Sequence, residues 1–225
     1  MGSYEDTVRI LETELAQVEQ AFRGLTAAEW ATPTKLRPLD ESRPHWTLFE
    51  LAGHFDISIG LTVMLMAEPQ DGQAGRDRVS FFIFPRSEVA PVVYDYAYTM
   101  VEGKTPAQMP DVLAATFAKT VEGARSTPPD TVGSGYYALM RLDEFVASRV
   151  VEAVVHGLDL TDALGRQPMA TPEGLAVTAT ILDELLARRT VAGRPSDLAG
   201  DDLAWVRAAS GRGPAHPDPR LPLIG

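Results

Sequence analysis

The chain has 225 residues, enough for one well-buried core or for one core with a small appendage, and 45% of them are hydrophobic, which excludes a mostly disordered protein. Twenty basic residues against 31 acidic ones give a net charge of −11, which argues against DNA, RNA or an anionic membrane surface as partner. No cysteine is present, so a disulfide framework and a catalytic thiol are both excluded, and a reducing cytoplasm is compatible.

The start MGSYEDTVRI is charged from Glu5 onward and carries no secretory signal. The longest apolar stretch, residues 57–67, is too short to span a bilayer. A soluble cytoplasmic protein is expected. The sequence leaves a homodimer open.

Tyr4, Val8, Leu11, Leu15, Val18, Phe22 and Leu25 repeat at three/four spacing, so a first helix over 3–25 is predicted, capped by Ser3. Thr26 with Glu29 opens a short turn, and a polar, proline-bearing linker over 31–45 follows. Thr47 and Glu50 form a capping box for a second helix over 48–68, with Trp46 and Leu51 as its hydrophobic staple. One face of that helix reads Leu51, His54, Ser58, Leu61, Leu65.

Beyond a charged loop over 69–78, the apolar run 79–84 fits a strand or a buried helical turn. Pro91 is expected to start a short helix ended by Gly103, in which Tyr94, Tyr96 and Tyr98 pack. Thr105-Pro106-Ala107-Gln108 marks the next helix, running to about 125. Gly133-Ser134-Gly135 reads as a hinge before a long helix over 137–164. The tail holds one helix over 172–189, a short one over 201–209, and an extended Gly- and Pro-rich end over 211–225. His45 is expected to be exposed, and His216 sits in that end.

The helix over 137–164 carries the best clue to function. Steps of three and four give Ala138, Leu142, Phe145, Arg149, Glu152, His156, Asp159 and Ala163 on one stripe. Such a stripe packs inward, so its polar members need partners. Glu152 and His156, at i and i+4, stand side by side, and His54 on the second helix would supply a second imidazole. Two nitrogens and one carboxylate suit Zn²⁺ with an open position, or Fe²⁺, Mn²⁺ or Ni²⁺. Arg149 and Asp159 would orient the ligands. Blander readings stand beside this one. His54 would be a hydrogen-bonded core histidine, Glu152 and His156 a plain helix pair, Arg149 and Glu152 a buried ion pair, and Asp159 a solvated residue near the helix end.

Ala31-Thr32-Pro33-Thr34, then the segment from His45-Trp46-Thr47 to His54, then Arg149-Val-Val-Glu152-Ala-Val-Val-His156-Gly-Leu-Asp159-Leu160 resemble the DinB/YfiT-like superfamily. More narrowly they are similar to its mycothiol-dependent maleylpyruvate isomerase branch. The resemblance covers roughly 1–165. It implies an all-α fold, a DinB-like four-helix bundle with a long crossover between its second and third helices. Residues 166–225 would form a short helical extension packed on it, in place of the C-terminal α/β domain of that branch's isomerases.

The resemblance further implies a divalent metal, usually zinc, on His54, Glu152 and His156, approached by the thiol of mycothiol, an actinobacterial low-molecular-weight thiol. A metal-dependent S-transferase or isomerase acting on a small electrophile is the expected function, with Arg149 as the catalytic cation. Two rivals are a non-catalytic bundle binding a small molecule or partner, and an Fe²⁺-dependent oxidative enzyme using the same three ligands.

Overall fold

The computed structural model describes residues 2–36 and 38–224. One residue of the expected 31–45 linker and the two chain ends lie outside the described residues. Among the described residues seven α-helices follow in order: α1 Tyr4–Arg23, α2 Leu48–Ala67, α3 Arg86–Val101, α4 Met109–Ser126, α5 Leu142–Ala163, α6 Pro172–Arg189 and α7 Asp202–Ala209. The fold is all-α and DinB-like. Helix α1 packs against α4 and α5, and α2 packs against the same two, closing a four-helix ring. Residues 68–108 cross over between α2 and α4 and contain α3, which lies along α2.

The predicted caps are in place. Ser3 and Asp6 form a capping box on α1, and Thr47 and Glu50 form one on α2. Helix α2 carries Leu48, Leu51, Phe55 and Ile59 at full burial, each contributing about 1.5–3 kcal/mol over an exposed position. By length and composition α2 would cross a membrane, with a mean hydropathy of 1.4. However, 61% of that window is buried within the fold, so its apolarity is that of a core helix. Gly53 lets α3 come close, since a Cβ there would stand 2.5 Å from the Ala97 carbonyl oxygen.

Of the two readings of the run 79–84 the helical turn holds: Ser80–Phe82 is a 3₁₀ turn with Phe81 and Phe82 buried, held by Asp77, whose carboxylate accepts from the Val79 and Ser80 amides. Other local expectations are corrected. Helix α3 starts at Arg86 rather than at Pro91, which is its sixth residue and removes one hydrogen bond from the second turn. Finally, α5 begins at Leu142, five residues later than the stripe suggested.

Residues Val132–Ser134 (β1) and Leu139–Arg141 (β2) instead pair as an antiparallel hairpin, Gly133 opposite Met140. The expected hinge is therefore a strand. Gly133 lies against α2, where a Cβ would meet the Leu65 carbonyl oxygen at 2.3 Å. The amides of Leu142 and Asp143, which a new helix leaves unpaired, donate to Thr131 and Pro129 carbonyls, fixing where the helix starts. Ala138 thus lies outside the helix, whereas Phe145 through Ala163 keep the stripe.

The segment after α5 folds back on the bundle. Helix α6 packs on α5 and α1, and α7 packs on α6. Glu14 of α1 is buried and accepts from the Thr171 amide and hydroxyl at the α6 N-cap. Arg207 of α7 holds Asp162 of α5 through two 2.7 Å hydrogen bonds.

Candidate metal centre

A short bridge between Pro33 and Thr47, with Leu48 N–H donating to Thr32 O, fixes the entry to α2. It places Trp46 over His54, ring centroids 5.2 Å apart. His54, about two turns into α2, faces the α5 stripe. The Nε2 atoms of His54 and His156 are 3.0 Å apart, and Glu152 Oε2 lies 3.4 Å from the first and 3.3 Å from the second. Metal bonds of about 2.1 Å at tetrahedral to octahedral angles set ligand atoms about 3.0–3.4 Å apart. The three donors therefore have the separations a single divalent cation requires, with every ligand atom within 4.8 Å of the others.

The electrostatics agree with the donor set. Burial, and the nearby His156, push the His54 imidazole below its usual range, which keeps it neutral. Burial alone would raise the Glu152 carboxyl, but His156, His54 and Arg149 outweigh it and hold Glu152 well below the usual range. For His156, burial is outweighed in the other direction by Asp159 and Glu152, which raise it.

Asp159 is not solvated. Only 4% exposed, it accepts the His156 Nδ1–H at 2.8 Å and is gripped by Arg212, whose Nε and Nη2 donate to its two oxygens at 3.0 Å each. Burial would raise the Asp159 carboxyl, yet Arg212 and His156 bring it down to about 2. This arrangement selects the His156 tautomer whose Nε2 lone pair points at His54 and Glu152. His54 has no such brace, since its Nδ1 makes no hydrogen bond among the described residues. The reading of His54 as a core histidine bonded to backbone is thereby set aside.

Arg149 is 1% exposed, its guanidinium between the rings of Phe81 and Phe145 at 4.6 and 4.5 Å. Nη1 donates to Ser58 O at 3.0 Å, while Nε and Nη2 donate to Ser148 Oγ. Its closest approach to Glu152 is 4.0 Å, so the two are neighbours and not a hydrogen-bonded pair.

All four groups, Arg149, His54, Glu152 and His156, open onto a cavity of about 280 Å³ walled by Trp46, Tyr94, Phe81 and Tyr137. Sequence reasoning missed three contributors. Arg212 comes from the tail, and nothing in its spacing ties it to Asp159. Phe81 and Tyr137 belong to a turn and a hairpin tip, whose partners are set by tertiary packing. Tyr94 is buried as expected, whereas Tyr96 is 42% exposed at the cavity rim. His45 is exposed, and His216 bonds Asp197 away from the cavity.

Residues 11–161 match the family described as the mycothiol maleylpyruvate isomerase N-terminal domain. The chain belongs to that family. Among solved structures it is similar to a crystal structure of a histidine-to-alanine mutant of mycothiol-dependent maleylpyruvate isomerase. The TM-score is 0.66, the identity 14%, and the match covers 94% of this chain and 90% of that one. At that identity the likeness speaks for the fold alone. Its extent shows that most of the segment beyond α5 is included, even though the family match ends at residue 161. No curated protein sequence matches significantly.

Proposed function

We propose that this protein is a metal-dependent enzyme that uses mycothiol, as an isomerase or S-transferase acting on a small electrophile. The observation that carries the reading is the His54–Glu152–His156 triangle opening onto an apolar cavity. Membership of the mycothiol maleylpyruvate isomerase family supports the thiol, and the donor set suits zinc, with Fe²⁺, Ni²⁺ or Mn²⁺ as substitutes.

A divalent cation on His54 Nε2, Glu152 and His156 Nε2 would lower the pKa of a coordinated thiol, so that thiolate exists at neutral pH. Asp159, braced by Arg212, holds the His156 proton on Nδ1 and leaves Nε2 free. The thiolate adds to the β-carbon of a conjugated carbonyl: the S–C bond forms, and the C=C π pair shifts until the oxygen carries the charge. Arg149 meets that charge with its guanidinium. The former double bond is now single and rotates. Return of the pair expels the thiolate and leaves the trans alkene, or a solvent proton at the α-carbon completes a thioether that departs.

The test is incubation of the metal-loaded protein with mycothiol and a panel of conjugated carbonyl electrophiles, with His54→Ala as control. Adduct formation or cis–trans conversion above the control is expected. Failure to exceed it, with oxygen-dependent turnover appearing on Fe²⁺ loading, would put the oxidative reading in its place.

A narrower expectation concerns Arg212. Groups that hold a metal-ligating histidine in place are typically worth about 10–100-fold in metal affinity. Arg212→Gln should therefore weaken zinc binding by about that factor, read by competition with a chromophoric chelator. Unchanged affinity would mean that Asp159 orients His156 unaided.

A further inference from the structure

Three phenols at the cavity, Tyr96, Tyr136 and Tyr137, are used by nothing in the fold, and Tyr137 is the one close enough to Glu152 and Arg149 to feel their charges. Tyr137 lines the cavity from the hairpin tip, half-buried, and its hydroxyl makes no hydrogen bond among the described residues. Its ring is nevertheless firmly placed. Phe81 and Phe84 lie 5.8 Å away, Tyr136 lies 4.5 Å away, and the Arg76 guanidinium sits over its face at 5.4 Å. The preceding residue, Tyr136, is the one non-glycine among the described residues at positive φ, +81°. A bulky residue in that region is strained by about 1–3 kcal/mol, and the turn keeps it while presenting two adjacent tyrosines to the cavity. Burial, with Glu152 nearby, pushes the Tyr137 phenol up, so it stays protonated and able to donate.

The cations of the cavity are unequal. Arg43 is paired with Asp95, Arg212 is committed to Asp159, and Arg86 is exposed at the rim. Deep inside, only Arg149 has N–H groups to offer, since three of its five donors go to Ser58 and Ser148. Apart from the cation that His54, Glu152 and His156 would hold, where the thiol would sit, a compact dianion would find Arg149 as its one buried cation, and a second carboxylate would be desolvated against the aromatic wall without a partner. A flat aryl group, by contrast, fits against the stacked Trp46 and Tyr94 rings, whose centroids are 5.9 Å apart.

We propose that the cavity selects an aryl-bearing conjugated carbonyl compound with a single oxygen acceptor, and that Tyr137 donates the hydrogen bond which, with Arg149, holds that oxygen. This rests on the reading of the cavity as the electrophile's site. It adds the substrate class and a binding residue.

The test is calorimetric binding to zinc-loaded protein without thiol, using benzylideneacetone, its oxygen-free analogue β-methylstyrene, and maleate. Benzylideneacetone should bind at least about tenfold more tightly than maleate. Losing one neutral hydrogen bond is worth about five- to tenfold, so Tyr137→Phe should weaken benzylideneacetone by that factor and leave β-methylstyrene within about twofold. On the unsubstituted protein, β-methylstyrene should already bind more weakly than benzylideneacetone by at least that factor, which keeps the claim testable if the variant does not fold. Maleate binding as tightly as benzylideneacetone overturns the proposal, as does an equal effect of Tyr137→Phe on both aryl ligands, or no effect on either. Because thiol is absent, the outcome is independent of the conjugation assay. Failed conjugation with intact aryl selectivity would remove the catalytic reading alone, and the reverse would remove this one alone.

Discussion

Chelation should lower the melting temperature of this protein by about 5–15 °C and leave a His156→Ala variant unmoved. A ligand that binds only the folded state stabilises it by RT ln(1 + [L]/Kd), about 2.7 kcal/mol at a hundredfold excess over Kd and about 4.1 kcal/mol at a thousandfold excess. In a chain of this length each kcal/mol moves the midpoint by roughly 2–4 °C. His156 is the ligand to remove because it is the braced one, its Nδ1 held by Asp159, while its Nε2 stands 3.0 Å from His54. The comparison is between chelator-induced shifts, since alanine also takes from Asp159 its His156 partner and leaves it to Arg212 alone. A matching chelator shift in both proteins would sink the assignment of His156 as a ligand.

The same centre predicts how that shift varies with pH. Without metal, Asp159 and Glu152 outweigh burial and hold the His156 imidazole above the usual histidine range, with Glu152 as its counter-charge. A histidine whose folded-state pKa is raised contributes stability that is fully present below its unfolded value. That stability is lost as pH rises through the folded value. A cation takes the place of the extra proton of the imidazolium, so affinity should rise with pH across the neutral range while the metal-free form loses stability. The chelator shift reads that affinity and should therefore be larger at pH 8 than at pH 6. Titration in two buffers of different ionisation enthalpy should show about one proton released for each metal bound.

The readability of the site followed the reach of each interaction. Glu152 and His156 are four residues apart on one helix, so periodicity alone places them together. His54 required a guess about which helices face each other, and a leucine stripe interrupted by a histidine was enough to raise it. Arg212 stands 53 residues from Asp159, beyond any periodic pattern, and only a buried acid in need of a cation hinted that such a partner existed.

The helix starts divide in the same manner. Ser3 and Thr47 bond within their own first turns and were legible. The start of α5 is set by carbonyls of Pro129 and Thr131 reached only after the hairpin has formed, and a run of Val, Leu and Ala leading away from Tyr137 gives no warning of it. The 3₁₀ turn at Ser80–Phe82 depends on Asp77 capping it, a contact equally open to a strand end.

Arg149→Ala should be the most damaging single change in the centre, and Arg149→Met should separate its two roles. Alanine opens a gap between Phe81 and Phe145, takes the Arg149 donor from the Ser58 carbonyl and removes a cation 4.0 Å from Glu152, a loss of about 2–5 kcal/mol, most of it from the cavity. Methionine fills most of that volume and needs no buried charge, while Glu152 keeps His156 and His54 as its nearer neighbours. Burial already pulls the Arg149 pKa down, which is the mark of a charge held at some expense to the fold. The methionine variant should accordingly melt within a few degrees of the parent and still take up metal, because none of the three donors has been touched. Its turnover with thiol and electrophile should nonetheless fall by about 10²–10³, the usual consequence of deleting one donor to a developing oxyanion. A stable, metal-loaded methionine variant with parental turnover would reduce Arg149 to a packing residue and leave the oxygen's charge to Tyr137 alone.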